Sequence, residues 1–133
     1  MIADEPVARP SIPSVRFAPL EIAVTKNITI AELKEMSGKM FDNLVKAVVD
    51  IEKETMAVDA DLHADEERLL LENGSKQTDL WGINIYPDED GEKFIEFDSM
   101  INIRPYQDNR TRGVEDPKIR EKIVKVVNRL VNK

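Results

Sequence analysis

A chain of 133 residues is the size of one ordinary domain, long enough to bury a core, and a lowish 41% hydrophobic with a high 34% charged content suits a compact protein with heavily charged surfaces rather than a disordered chain. It contains no cysteine, which excludes disulfides, a thiolate nucleophile and Cys-ligated zinc. A net charge of -7 argues against non-specific nucleic-acid binding, which depends on neutralising phosphates, and no apolar run approaches the ~20 residues that span a bilayer.

The acidity is uneven. Residues 1–99 hold 10 Lys and Arg against 22 Asp and Glu, whereas residues 100–133 hold 9 against 4. A solvated helix surface accounts for the basic quarter, although it leaves room for a local anionic partner. Residues 1–20 lack a basic segment followed by an apolar run, so no secretory signal is read and the cytoplasm is the expected location.

Residues 1–19 contain Pro6, Pro10, Pro13 and Pro19 and read as a flexible proline-rich tail preceding one α+β domain over 20–133. Residues 20–25 alternate as a short strand, expected at a sheet edge. Thr29-Ile30-Ala31-Glu32 matches a capping box, and Ile30, Leu33 and Met36 form the stripe of a first helix. Ser37-Gly38 weakens or ends it, although Met40, Phe41 and Leu44 could continue it. Residues 45–60 stay open between a continued helix and a hairpin, because V-K-A-V-V-D-I-E is dense in β-branched residues but its turn lacks Asn-Gly.

A second helix is read over 61–73, with Asp61 as N-cap and Asp65, Glu66 and Glu67 complementing the macrodipole. Leu62, Leu69 and Leu70 supply its stripe, and Gly74 stands at the left-handed C′ position. Residues 80–105 then read as a β-hairpin. Trp81, Ile83, Ile85, Ile95, Phe97, Ile101 and Ile103 fall on its core face. Asn84, Glu96, Asp98, Asn102 and Arg104 fall on the other, with Asn84 opposite Glu96 and Gly82 opposite Asp98. After a polar loop, Asp116-Pro117 opens a last helix with Ile119, Ile123, Val126, Val127, Leu130 and Val131 inward.

The runs L-H-A-D-E-E, L-L-L-E-N-G-S-K-Q-T-D-L-W-G-I-N-I-Y-P and I-N-I-R-P-Y-Q-D-N-R, together with V-K-A-V-V-D-I-E, resemble a family of short uncharacterised prokaryotic proteins that carries only a domain-of-unknown-function label. The likeness spans residues 22–131. It implies a mixed α+β fold and a hairpin at 45–60, and it transfers no activity.

The expected architecture is α+β: a mixed, mainly antiparallel sheet in the order β-α-β-β-α-β-β-α, with three helices packed on one face. The other sheet face would be wet, a binding surface or a homodimer contact. Asn84, Asp98, Asn102, Arg104, Gln107, Asn109, Arg110 and Arg112 form the candidate binding set, since arginine and amide groups at a strand end suit carboxylate or phosphate recognition. The function expected is therefore a protein- or small-anion-binding module. The alternative is a metal-independent hydrolase or nuclease with His63 as acid/base and Arg104 or Arg110 clamping phosphate. His63 lies beside Asp59, Asp61, Asp65 and Glu66, but no second histidine completes a ligand set and the spacing is not that of an EF-hand. No metal, cofactor, membrane or nucleic-acid partner is expected.

Overall fold

The computed structural model describes residues 14–17, 22–39 and 43–132. Strands Ser14–Phe17 (β1), Ile22–Thr25 (β2), Ile28–Thr29 (β3), Val45–Asp50 (β4), Thr55–Val58 (β5), Leu80–Ile85 (β6), Ile95–Glu96 (β7) and Val131–Asn132 (β8) are interleaved with helices Ile30–Ser37 (α1), His63–Glu72 (α2) and Pro117–Leu130 (α3). Six strands form one antiparallel sheet in the order β1-β2-β5-β4-β6-β7, while β3 and β8 make a short parallel pair. The α+β class, with three helices and a mainly antiparallel sheet, is as the sequence indicates. Because β1 pairs outside β2, the strand at 22–25 is internal rather than an edge. Met40 and Phe41, and the rest of the proline-rich segment, lie outside the described residues.

The helix ends follow local chemistry. The Glu32 amide donates to Thr29 Oγ1 at 3.1 Å and the Thr29 amide to Glu32 Oε1 at 2.9 Å, completing the capping box. Asp116 accepts from the Lys118 amide, with Pro117 in the first turn of α3. Gly74 takes φ +97 after α2, where an L side chain would be strained. The cap of α2 differs from expectation: Leu62 occupies it, because Asp61 stands one residue too early, and no side chain caps the helix. Leu62 is consequently 58% exposed rather than part of the buried stripe.

Residues 45–60 form the hairpin of β4 and β5. Its turn is built by Asp50, whose Oδ1 accepts from the Glu52 and Lys53 amides at 2.9 and 2.8 Å while Oδ2 accepts from Ser75. An Asx-type turn of this kind does the work of an Asn-Gly pair.

The three helices do not share one face. Val45, Ala47, Val49, Met56, Val58, Trp81, Ile83 and Ile85 pack with Leu33 and Met36 of α1 and Ile123, Val126, Val127 and Leu130 of α3. Val48, Ala57 and Leu80, on the opposite face, pack with Leu70 and Leu69 of α2. Central strands apolar on both sides need cover on both, each buried Leu, Val or Ile contributing ~1.5–3 kcal/mol. The face envisaged for a dimer contact is therefore covered within the chain, by α2 and the segment after β7.

The hairpin at 80–105 is likewise shorter than its alternation suggests. Asn84 pairs with Glu96 and Ile85 with Ile95 as read, but the second arm leaves the sheet after Glu96. Instead of Asp98 pairing with Gly82, the Asn102 amide does so: its Oδ1 accepts from the Gly82 N–H at 2.8 Å and its Nδ2 donates to the Gly82 carbonyl at 3.0 Å. Arg104 donates to the carbonyls of Leu80 and Gln77. Two side chains thus continue the outer edge of β6 where a strand partner stops, satisfying backbone groups that would otherwise be buried and unpaired. Gly82 permits this, since a Cβ there would stand 2.6 Å from Ser99. Ile101 consequently packs on the α2 side and Ile103 is 38% exposed, instead of both facing the main core.

Candidate functional site

The face of the sheet that carries α2 has an opening among the described residues. Alternation along β4 and β6 puts Lys46 and Asn84 on this face, and the register sets them opposite each other, with Glu96 of β7 next in line. Together they floor a cleft of about 440 Å³. The start of α2 supplies one wall through Leu62, His63 and Ala64, and Asp98, Ser99, Met100, Ile101 and Arg112 supply the other. That volume lies within the usual range for small-molecule sites.

The polar groups are held in place. Asn84 is 6% exposed; its Nδ2 donates to Glu96 Oε1 at 2.9 Å and more distantly to the Asp98 carbonyl. Tyr86 donates its hydroxyl to the same Glu96 oxygen at 3.0 Å. Arg112 Nε donates to Asp98 Oδ1 at 2.6 Å, which raises the guanidinium pKa further above its already high value. The ammonium of half-buried Lys46 has no hydrogen bond or ion pair with any described residue.

His63 is buried, and its Nε2–H donates to the Ile83 carbonyl at 2.7 Å, leaving Nδ1 as the proton-accepting nitrogen. Burial holds its pKa down to about 4, with Lys46 adding to the effect against the raising influence of the Ile83 carbonyl and Asp98. One turn further along α2, Glu66 is fully buried. Its Oε2 accepts from the Ala60 amide at 3.0 Å, Oε1 has no partner, and burial raises its pKa well above the carboxylate range. Glu66 therefore does not serve the helix dipole from the surface. The neighbouring acids are dispersed: Asp59 pairs with Lys39 and Asp65 with Arg68, and among the described residues no three such side chains converge as metal ligands.

Of the residues read from the sequence, the cleft gathers His63, Asn84, Asp98 and Arg112. The others are placed elsewhere. Asn102 is fully buried against Gly82 and also donates to the Arg112 carbonyl at 2.9 Å. Asn109, 3% exposed, donates to the carbonyls of Asn102 and Gly113 and accepts from the Glu115 amide. Arg104, 3% exposed, lies 4.4 Å above the Trp81 ring, and burial lowers its pKa. Gln107 donates to the Thr78 carbonyl, and Arg110 is exposed beside Asp108. These side chains tie the loop to β6 and to itself.

Lys46 escapes notice in the sequence. Its place depends on residues 45–50 being a strand and on which strand pairs with it. With the hairpin known, alternation against Val45 and Ala47 would have placed it on the α2 face.

The arrangement defines a small α+β domain in which a mainly antiparallel sheet offers one polar-floored cleft beside a helix start. The chain belongs to the family described as "Protein of unknown function (DUF5674)", whose model matches residues 22–130. No curated protein and no solved structure matches it. Among the described residues no helix is long and apolar enough to cross a membrane.

Proposed function

We propose that the protein is a ligand-binding domain and that the cleft between α2 and residues 98–112 takes a small molecule with an anionic group. The observation carrying this reading is the convergence of Lys46, His63, Asn84 and Arg112, from four separate segments, on one concavity of about 440 Å³. The Lys46 ammonium, unpaired within the described residues, offers the anion its principal contact. Neutral His63 presents Nδ1 as an acceptor for a donor group elsewhere on the same ligand, while the Asn84 amide, committed to Glu96 and the Asp98 carbonyl, fixes the floor beneath it. A concave site on this scale favours a small anion over a protein partner.

The hydrolytic alternative has less support. Arg104 and Arg110 do not line the cleft with His63, and an imidazole with a pKa of about 4 is a weak base and no acid at neutral pH.

The test is a two-dimensional amide NMR titration with acetate, butyrate and inorganic phosphate. Shifts are expected at the backbone amides of Lys46, Ala64, Asn84 and Arg112, and they should be lost in Lys46→Met. Shifts confined to other surfaces, or unchanged by that substitution, would refute the assignment.

A further inference from the structure

We infer that the ligand is a dipolar molecule of the α-amino-acid class with an apolar side chain, an inference that rests on the cleft being the anion site proposed above. The charges lining the cleft balance. Lys46 and Arg112 line the same concavity as Glu96 and Asp98, two cations with two carboxylates. A simple anion realises only part of what such a field offers, because its contact with Lys46 is partly offset by repulsion from Glu96, Asp98 being already paired with Arg112. A ligand carrying its own cation meets both.

One of the two cations in the cleft is already paired. Arg112 and Asp98 bind each other, whereas Lys46 and Glu96, of opposite charge and at one level of the sheet on either side of Asn84, do not. Their strands are separated by two inter-strand spacings, about 10 Å between backbones, so the two side chains bracket a gap above the Asn84 amide. Glu96 is prepared for a further donor. Its Oε1 receives both the Asn84 amide and the Tyr86 hydroxyl, and Oε2 has no partner among the described residues. A carboxylate held by one oxygen through neutral donors is oriented with its other oxygen available to an ammonium. The rim is apolar: Leu62 is 58% exposed and Met100 64%, on opposite walls, and buried Leu44 also lines the cleft. Two large apolar side chains left in water at the mouth suit an aliphatic ligand side chain.

Isothermal titration of the full chain with L-leucine, 4-methylpentanoate (no ammonium) and L-leucinamide (no carboxylate) tests the inference. Leucine is expected to bind at least about tenfold more tightly than either analogue, a difference of about 1.4 kcal/mol. Glu96→Gln should weaken leucine and, by removing a repelling carboxylate, strengthen 4-methylpentanoate, so that the two affinities converge, and Lys46→Met should weaken both. An unchanged thermal midpoint for each variant checks that the fold is retained. If 4-methylpentanoate binds as tightly as leucine, the dipolar ligand is overturned while the anion site stands. If no compound binds at millimolar concentration, or if binding is indifferent to Lys46→Met, the site reading falls with it.

Discussion

His63 and Glu66 face the same sheet one helical turn apart, and burial moves their pKa values in opposite directions. For His63 the native pKa lies below the ordinary 6.5, so between about 4 and 6.5 the unfolded chain binds the additional proton. Its contribution is fully present above pH 6.5 and is lost as the pH falls towards 4, a span of about 3 kcal/mol. His63→Asn should therefore flatten the acid limb. Urea midpoints at pH 7 and pH 4.5 check this, and a variant that loses as much stability as the parent would count against it. Glu66 has the reverse sign: the folded state retains a proton that the unfolded chain releases above about 4.5, so its contribution worsens as pH rises towards the native pKa. Glu66→Gln keeps an acceptor for the Ala60 amide and cannot ionise. Melting temperatures should match the parent in acid and exceed it by a growing margin above pH 5.

At the scale of elements, the segment after β7 depends on a missing side chain. A methyl group on Gly82 would stand 2.6 Å from both Cβ and Oγ of Ser99. Gly82→Ala should cost about 1–3 kcal/mol, and Ser99→Gly in the same chain should recover part of it, giving a coupling term in a urea-denaturation double-mutant cycle.

This segment also marks where sequence reading stops. Thr29 with Glu32, Asp116 with Pro117, and Gly74 were legible because each acts within a few residues of itself. The alternation through residues 95–104 was legible too, but misleading. Nothing local distinguishes an asparagine facing solvent from Asn102 replacing a strand, since its partner lies 20 residues away. The same holds for the site: His63, Asn84, Asp98 and Arg112 stand out by residue type, whereas Lys46 becomes visible only through the β4–β6 register. The division of helices between the faces was obscured because Val48 and Ala57, which call for cover, lie in the stretch where helix and hairpin compete.

Across the whole molecule, distant parts of the chain are clasped by the β3–β8 pair, Ile28 with Val131 and Thr29 with Asn132, set in line with α1 and α3. Val131 is 5% exposed and packs in the main core. Truncation after Leu130 should lower stability by about 2–3 kcal/mol through lost burial and lost ladder bonds, and urea denaturation would measure it. A truncated chain as stable as the parent would make the clasp dispensable.

Closing β6 with Asn102 and Arg104 has a consequence for how copies of the protein meet. An edge shut by a neighbouring strand opens only when many bonds break together, whereas here one rotamer holds the stretch at Gly82. Asn102→Ala would leave that buried N–H and carbonyl unpaired, a cost that favours lifting of the covering segment and opening of the strand edge to another molecule. Sedimentation velocity should then show concentration-dependent association in the variant beyond that of the parent; equal behaviour would dismiss the idea. By this reasoning one amide protects the protein from polymerising with itself.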